Sequence, residues 1–172
     1  MAGLVHVYCG DGKGKTSTAI GSAIRAAGAG KKVLFAQFFK DGSSSEIKLL
    51  QSVERIRTLH CKTVQGFWSR MNDEQKAQAG RDYSSFFEEV VGLAKEADLL
   101  VLDEIISACK HGAPAEAALL DFLRRKPEAL EVILTGREPS EALLELADYV
   151  SEVRKIKHPY DAGIRARKGI EF

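Results

Sequence analysis

Six short apolar runs punctuate the chain: Leu4 to Tyr8, Val33 to Phe38, Arg57 to Cys61, Leu99 to Leu102, Val132 to Thr135 and Tyr149 to Val153. Each is short enough for one buried strand, and most are followed by a stretch whose apolar positions recur at helical spacing. From Asp73 to Ala97, the residues Tyr83, Phe86, Phe87, Val90, Val91, Ala94 and Ala97 recur at three- and four-residue steps and draw one stripe along a helix. Pro114 to Arg125 and Pro139 to Ala147 predict two more helices, with proline in the first turn. Asp41 to Ser45, with glycine and three serines, reads as a mobile loop, and Lys62 to Asn72 as an irregular connection. Strands alternating with helices over nearly the whole length predict an α/β fold, a mainly parallel sheet flanked by helices.

Composition narrows the class. The 172 residues fit one domain, residues 1–172, and leave little room for two. With 25 basic and 24 acidic residues there is no global field to gather nucleic acid or an anionic membrane surface, so neither is expected as a partner. The three cysteines, Cys9, Cys61 and Cys109, form no CxxC pair, which suits a reduced, cytoplasmic chain. Neither a leader nor a membrane-spanning run is expected.

The chemistry begins with YCGDGKGKTS, Tyr8 to Ser17, which follows the first apolar run and opens a helical pattern. A strand leading through glycines into a helix gathers free backbone N–H groups and the positive helix end around one anion site. Lys15 can reach phosphates and Thr16 can ligand magnesium, as in G-x-x-x-x-G-K-[ST]. The loop is a variant, because Cys9 stands where the first glycine belongs and Gly10 follows one step later. Lys13 adds a second cation that is equally well read as an exposed turn lysine. The run DLLVLDEI, Asp98 to Ile105, predicts a buried strand presenting Asp103 and Glu104 at the carboxyl edge of the sheet, where open α/β sheets bind ligands. One or the other would meet the ion held by Thr16.

Three further stretches separate kinds of phosphate-loop protein. VILTGRE sets Arg137 beyond a strand on the same edge, either as a phosphate ligand or as an ordinary surface arginine. QGFWSR brings Phe67 and the single tryptophan, Trp68, together in a polar connection, as core plugs or as the wall of a flat apolar ligand. The stretch from Ala147 to Phe172 runs from a strand into a basic, turn-rich tail. Its Tyr160, Ile164, Ile170 and Phe172 are too apolar for a free end, so the tail is expected to pack back on the domain. Of the histidines, His6 and His60 lie in strands, His111 has no evident partner, and His158 sits in the tail, where it suits a ribose or a structural contact.

Together GDGKGKTS, AQFFK (Ala36 to Lys40), GFW, LVLDE, LTGR and the tail ADYVSEVRKIKHPYDAGIRARKGIEF resemble the P-loop corrinoid adenosyltransferases, from Val5 to Phe172. The resemblance implies a single-domain P-loop NTPase (RecA-like) fold and transfer of the 5′-deoxyadenosyl group of ATP to the Co(I) of a corrinoid, with release of triphosphate. ATP would lie reversed, its γ-phosphate where other P-loop proteins hold the α-phosphate. On that basis Gly10, Asp11, Gly12, Lys13, Gly14, Lys15, Thr16 and Ser17 hold ATP, with Arg137 and His158 beside them. Thr16, Asp103 and Glu104 hold Mg2+, while Lys15, Thr16 and Glu104 carry catalysis. Phe67 and Trp68 face the corrinoid, although they are contiguous where the family has G-F-x-W. A homodimer, a flavin-type electron donor and a place in adenosylcobalamin biosynthesis or salvage are further implications. The residues themselves leave two rivals, a small-molecule kinase and a nucleotide-switch ATPase, since the same loop and carboxylates serve γ-phosphoryl chemistry.

Overall fold

The computed structural model describes residues 2–63 and 68–171. Six parallel strands form one sheet: β1 (Val5–Cys9), β2 (Val33–Gln37), β3 (Ile56–His60), β4 (Leu99–Asp103), β5 (Glu131–Thr135) and β6 (Tyr149–Glu152). Their spatial order is β3-β2-β4-β5-β1-β6. Every run read as a strand is one, to within a residue at most ends. The central β2 and β4 are buried at all five positions, the expected pattern where helices cover both faces of a sheet.

Alternation within the strands builds two cores. Val33, Phe35, Leu99, Val101 and Ile133 face α1 (Lys15–Gly28) and α2 (Ser45–Gln51), whose Ala19, Ala23, Ile47 and Leu50 meet them. Leu34, Ala36, Leu100, Leu102, Val132 and Leu134 face the other way, toward α3 (Asp73–Ala94), α4 (Ile105–Cys109), α5 (Glu116–Arg125) and α6 (Glu141–Leu146). Alanines on the buried side of α1 let that helix lie close to the strands and hold the phosphate loop firmly against the sheet edge. Helix α3 starts on a reciprocal cap: the Gln75 N–H donates to the Asn72 side chain, and the Asn72 N–H donates to that of Gln75.

Several expectations need correction. Pro114 and Pro139 lie ahead of their helices, because Ala115 and Ser140 are the capping residues, and Ser140 accepts from the Leu143 N–H. Ser45 belongs to α2, which the polar composition of its first turn concealed. Likewise α4 was hidden behind the strand pattern of DLLVLDEI, in which Glu104 turns the chain with a positive φ of 61°. The tail does return to the domain, but through backbone and charge. Its side chains Tyr160, Ile164 and Ile170 remain exposed, and Phe172 lies outside the described residues.

Tail and phosphate loop meet at two glycines. A Cβ on Gly10, whose φ is 105°, would stand 2.5 Å from the Val153 carbonyl oxygen, and one on Gly12 would stand 2.7 Å from it. The Gly12 N–H donates to that same oxygen at 2.7 Å. Gly12→Ala is therefore expected to destabilise by about 1–3 kcal/mol through overpacking against backbone. Gly21→Ala, at an exposed helical site where a Cβ meets nothing within 4 Å, should stabilise by roughly 0.5–1 kcal/mol. Urea unfolding of the two variants checks both signs.

Candidate active site

All six strands point their carboxyl ends to one edge, and β5 lies between the loop strand β1 and the acid strand β4. That spacing leaves a gap bridged by side chains. Asp103, fully buried at the tip of β4, accepts at Oδ1 from the Thr16 hydroxyl at 2.8 Å and from the Thr135 hydroxyl at 2.8 Å. At Oδ2 it accepts from the Lys40 ammonium at 2.7 Å and from the Gln37 amide at 3.3 Å. Thr135 also accepts from the Glu104 N–H at 2.8 Å, so one hydroxyl orients both acidic residues. Of the two carboxylates, Asp103 is the one that meets Thr16. The Glu104 carboxylate accepts from the Ser107 hydroxyl at 2.8 Å.

Lys15 is buried and donates to the Gly12 carbonyl at 2.9 Å. Burial pushes its ammonium below the usual range, Arg137 pushes it further the same way, and Glu104 opposes them. Such a cation is stabilised by an incoming anion, and Glu104 and Arg137 lie near enough to act on it. Other loop residues serve the tail. Asp11 accepts from the Lys155 N–H at 2.9 Å, which holds its carboxyl below the ordinary range. Lys13 pairs with Glu171 at 3.1 Å, and Glu171 is held down to about 2, first by the side chain of Arg167. Since the Gly12 N–H belongs to Val153, the loop offers fewer free donors than its glycine count suggests. His158 caps the turn at Pro159–Ala162 by accepting from the Tyr160 N–H at 3.1 Å, a structural contact.

An aromatic cluster stands beside this edge, built on Trp68, which the sequence singled out, and on Phe39, Tyr83 and His111, which it did not assign to the site. Trp68 stacks on Phe39 at 5.3 Å between ring centroids and lies 5.2 Å from His111. Phe39 also meets Tyr83 edge-on at 5.2 Å and His111 at 5.7 Å. Phe67 lies outside the described residues. The signal for Phe39 was present in AQFFK, but its φ of 54° was not, and that turn is what aims Phe39 and Lys40 off the strand. Phe39 and Lys40 line, with Thr16, Ser17, Tyr83 and Ile170 of the tail, a cavity of about 950 Å³.

Nucleophiles of the protein itself are muted. Burial raises the Cys109 thiol and the Tyr83 hydroxyl to about 12 each, and the Cys9 thiol above its ordinary value. Among the described residues no three His, Cys, Asp or Glu side chains gather as a metal site. One hydroxyl and one carboxylate nonetheless suit magnesium, which takes few protein ligands and completes its shell with phosphate and water. Thr135→Val should strand the Glu104 N–H and free one Asp103 lone pair, costing about 1–3 kcal/mol in denaturant unfolding, more than an exposed Thr18→Val.

Comparison with known proteins bears on the fold and on the family. Solved structures of EssC from Geobacillus thermodenitrificans (ATPases 2 and 3) and of the cytoplasmic domain of EssC superpose with TM-scores of 0.54 and 0.56 at 14% identity, over 97% and 96% of this chain. The chain spans about a third of their length, and the likeness is one of fold. The corrinoid adenosyltransferase of Escherichia coli is 34% identical over 171 residues, 99% of this chain and 86% of that protein. That of Pseudomonas aeruginosa is 33% identical over 171 residues, 99% of this chain and 84% of that protein. The family model for ATP:corrinoid adenosyltransferase BtuR/CobO/CobP matches residues 1–172, so the chain belongs to that family of transferases.

Proposed function

We propose that this chain transfers the 5′-deoxyadenosyl group of ATP to the Co(I) of a corrinoid and releases intact triphosphate. The observation that carries the reading is the sharing of one cavity by a phosphate loop and an aromatic wall: Thr16, Lys40 and Phe39 line it together, and Phe39 leans on Trp68. A kinase of this fold would need the strand edge to orient an acceptor hydroxyl against a transferring phosphoryl group. Here the buried carboxylate is already met by four donors, and Phe39 brings an aromatic ring into the cavity beside it.

In the reaction the Co(I) electron pair forms the bond to C5′, the C5′–O bond breaks, and its pair leaves on the triphosphate. Cobalt rises formally to Co(III), so the corrinoid supplies both electrons and no protein base is required. Lys15 holds the triphosphate, and its desolvated ammonium gains most as negative charge accumulates on the departing oxygen. Thr16 and Asp103, with Glu104 nearby, would hold Mg2+, which would supply positive charge to the triphosphate. Arg137 adds positive charge at the outer side of the loop. With ATP reversed, C5′ faces the Thr16 and Asp103 end, next to Phe39 and Trp68. The aromatics keep water and axial ligands from the corrin face, which eases reduction of Co(II) by a flavin-type donor.

A second copy of the chain is the partner that the β6 edge suits. Tyr149 and Val150 of this edge strand, and Ile156, Tyr160 and Ile164 of the tail that follows it, are all exposed. Among the described residues no helix is long and apolar enough to cross a membrane.

Incubation with ATP, Mg2+ and chemically reduced corrinoid should yield triphosphate and a light-sensitive alkyl-cobalt product. ADP with a phosphorylated acceptor, or ADP with phosphate, would refute the reading in favour of its rivals. Lys15→Ala should lower turnover by about a hundredfold or more with either cobalt state. Trp68→Ala should slow Co(II) corrinoid, supplied with a reductant, by about tenfold more than pre-reduced Co(I), as measured by the absorbance change of the corrinoid.

A further inference from the structure

The Lys40 ammonium sits where a divalent ion would be held. It donates to Asp103 at 2.7 Å and to the Thr16 hydroxyl oxygen at 3.3 Å, the two side chains assigned to Mg2+. We propose that Lys40 is a built-in counter-cation that occupies the magnesium position in the nucleotide-free protein and is displaced into the adjoining cavity when the metal arrives with its nucleotide. The inference rests on the reading that Thr16 and Asp103 hold Mg2+.

Three observations support it. Asp103 is fully buried, and a buried carboxylate without a cation is strongly unfavourable, so some positive charge must accompany it at every stage of the cycle. Lys40 and Mg2+ would compete for the same two oxygens, and like charges at that separation exclude each other. Gln37, at 1% exposure, donates its amide to the same carboxylate while its Oε1 has no partner among the described residues. A buried acceptor left unmet beside a cation-binding carboxylate is the group that a hydrated ion would satisfy.

Lys40 is also built to move while its anchor stays. The Phe38 N–H donates to the Asp103 carbonyl at 2.9 Å, fixing the end of β2, and the chain turns at Phe39. Beyond that point the side chain of Lys40 is 26% exposed and lines the cavity with Thr16 and Ser17, so the released ammonium has room beside the phosphates. Loading becomes ordered as a result. Free Mg2+ meets a site already neutralised, whereas Mg2+ bound to a triphosphate brings the anion that takes over the lysine.

Thermal unfolding of the full chain in EDTA, in Mg2+ alone and in Mg2+ with ATP tests this without reference to turnover. Wild type should be unmoved by Mg2+ alone and stabilised by Mg2+ with ATP beyond ATP in EDTA. Lys40→Met should melt lower in EDTA and recover by about 4 °C or more on Mg2+ alone. Lys40→Met combined with Asp103→Asn should lose that recovery. If Lys40→Met does not fold, Lys40→Gln serves, with Mn2+ binding followed by electron paramagnetic resonance and expected to be about tenfold tighter than in wild type. A wild type stabilised by Mg2+ alone as much as the variant, or a variant indifferent to the ion, overturns the role of Lys40. A wild type for which Mg2+ adds nothing to ATP overturns the metal assignment itself, and the identity of the phosphate product still decides the reaction separately.

Discussion

One buried carboxylate organises this molecule. Asp103 lies at the tip of a strand with no exposure to water, and its charge is tolerable only because α1, β2, β5 and the turn after β2 each direct a donor at it. A single anion thus fixes the relative positions of Thr16, Gln37, Lys40 and Thr135, residues far apart in the chain. The gap left by β5 between the loop strand and the acid strand makes this arrangement possible, since it gives the carboxylate a neighbour on each side. Without such a charge at its centre the edge would be a set of strand ends; with it, the edge is a preorganised electrostatic site.

The phosphate loop is constrained from its other side by the tail. Gly10 and Gly12 admit the Val153 backbone at distances that any side chain would obstruct, while Asp11 and Lys13 hold Lys155 and Glu171. Asp11, Gly12 and Lys13 of the loop thus fasten the segment after β6. Any movement of the tail is felt by the loop, and the tail in turn contributes Ile170 and Glu171 to the cavity wall.

Most of the fold was legible in the sequence. Apolar runs of four to six residues mark the strands, most plainly β2 and β4, which bury both faces, and the stripe along α3 is long enough to admit only a helix. The order strand, glycines, lysine, hydroxyl, helix located the anion site because those residue types meet its geometric needs locally. Short helices were less visible: α2 opens on serine and glutamate, and α4 follows a strand with only one turn residue between them. Periodicity cannot speak over five or seven residues.

What the sequence determined by itself, then, is which groups are present at the sheet edge, since parallel strands deliver their C-terminal residues to one side whatever the packing. Tertiary structure alone decided which of them meet. Asp103 rather than Glu104 faces Thr16, because Glu104 takes a left-handed turn and is drawn to Ser107. Lys40 joins the carboxylate and Phe39 the aromatic wall through one positive φ beyond β2. His158 is turned to its own backbone, and Asp11 to the tail. Such pairings follow from competition among donors for a few buried acceptors, a contest settled by distances across the fold that no local pattern encodes.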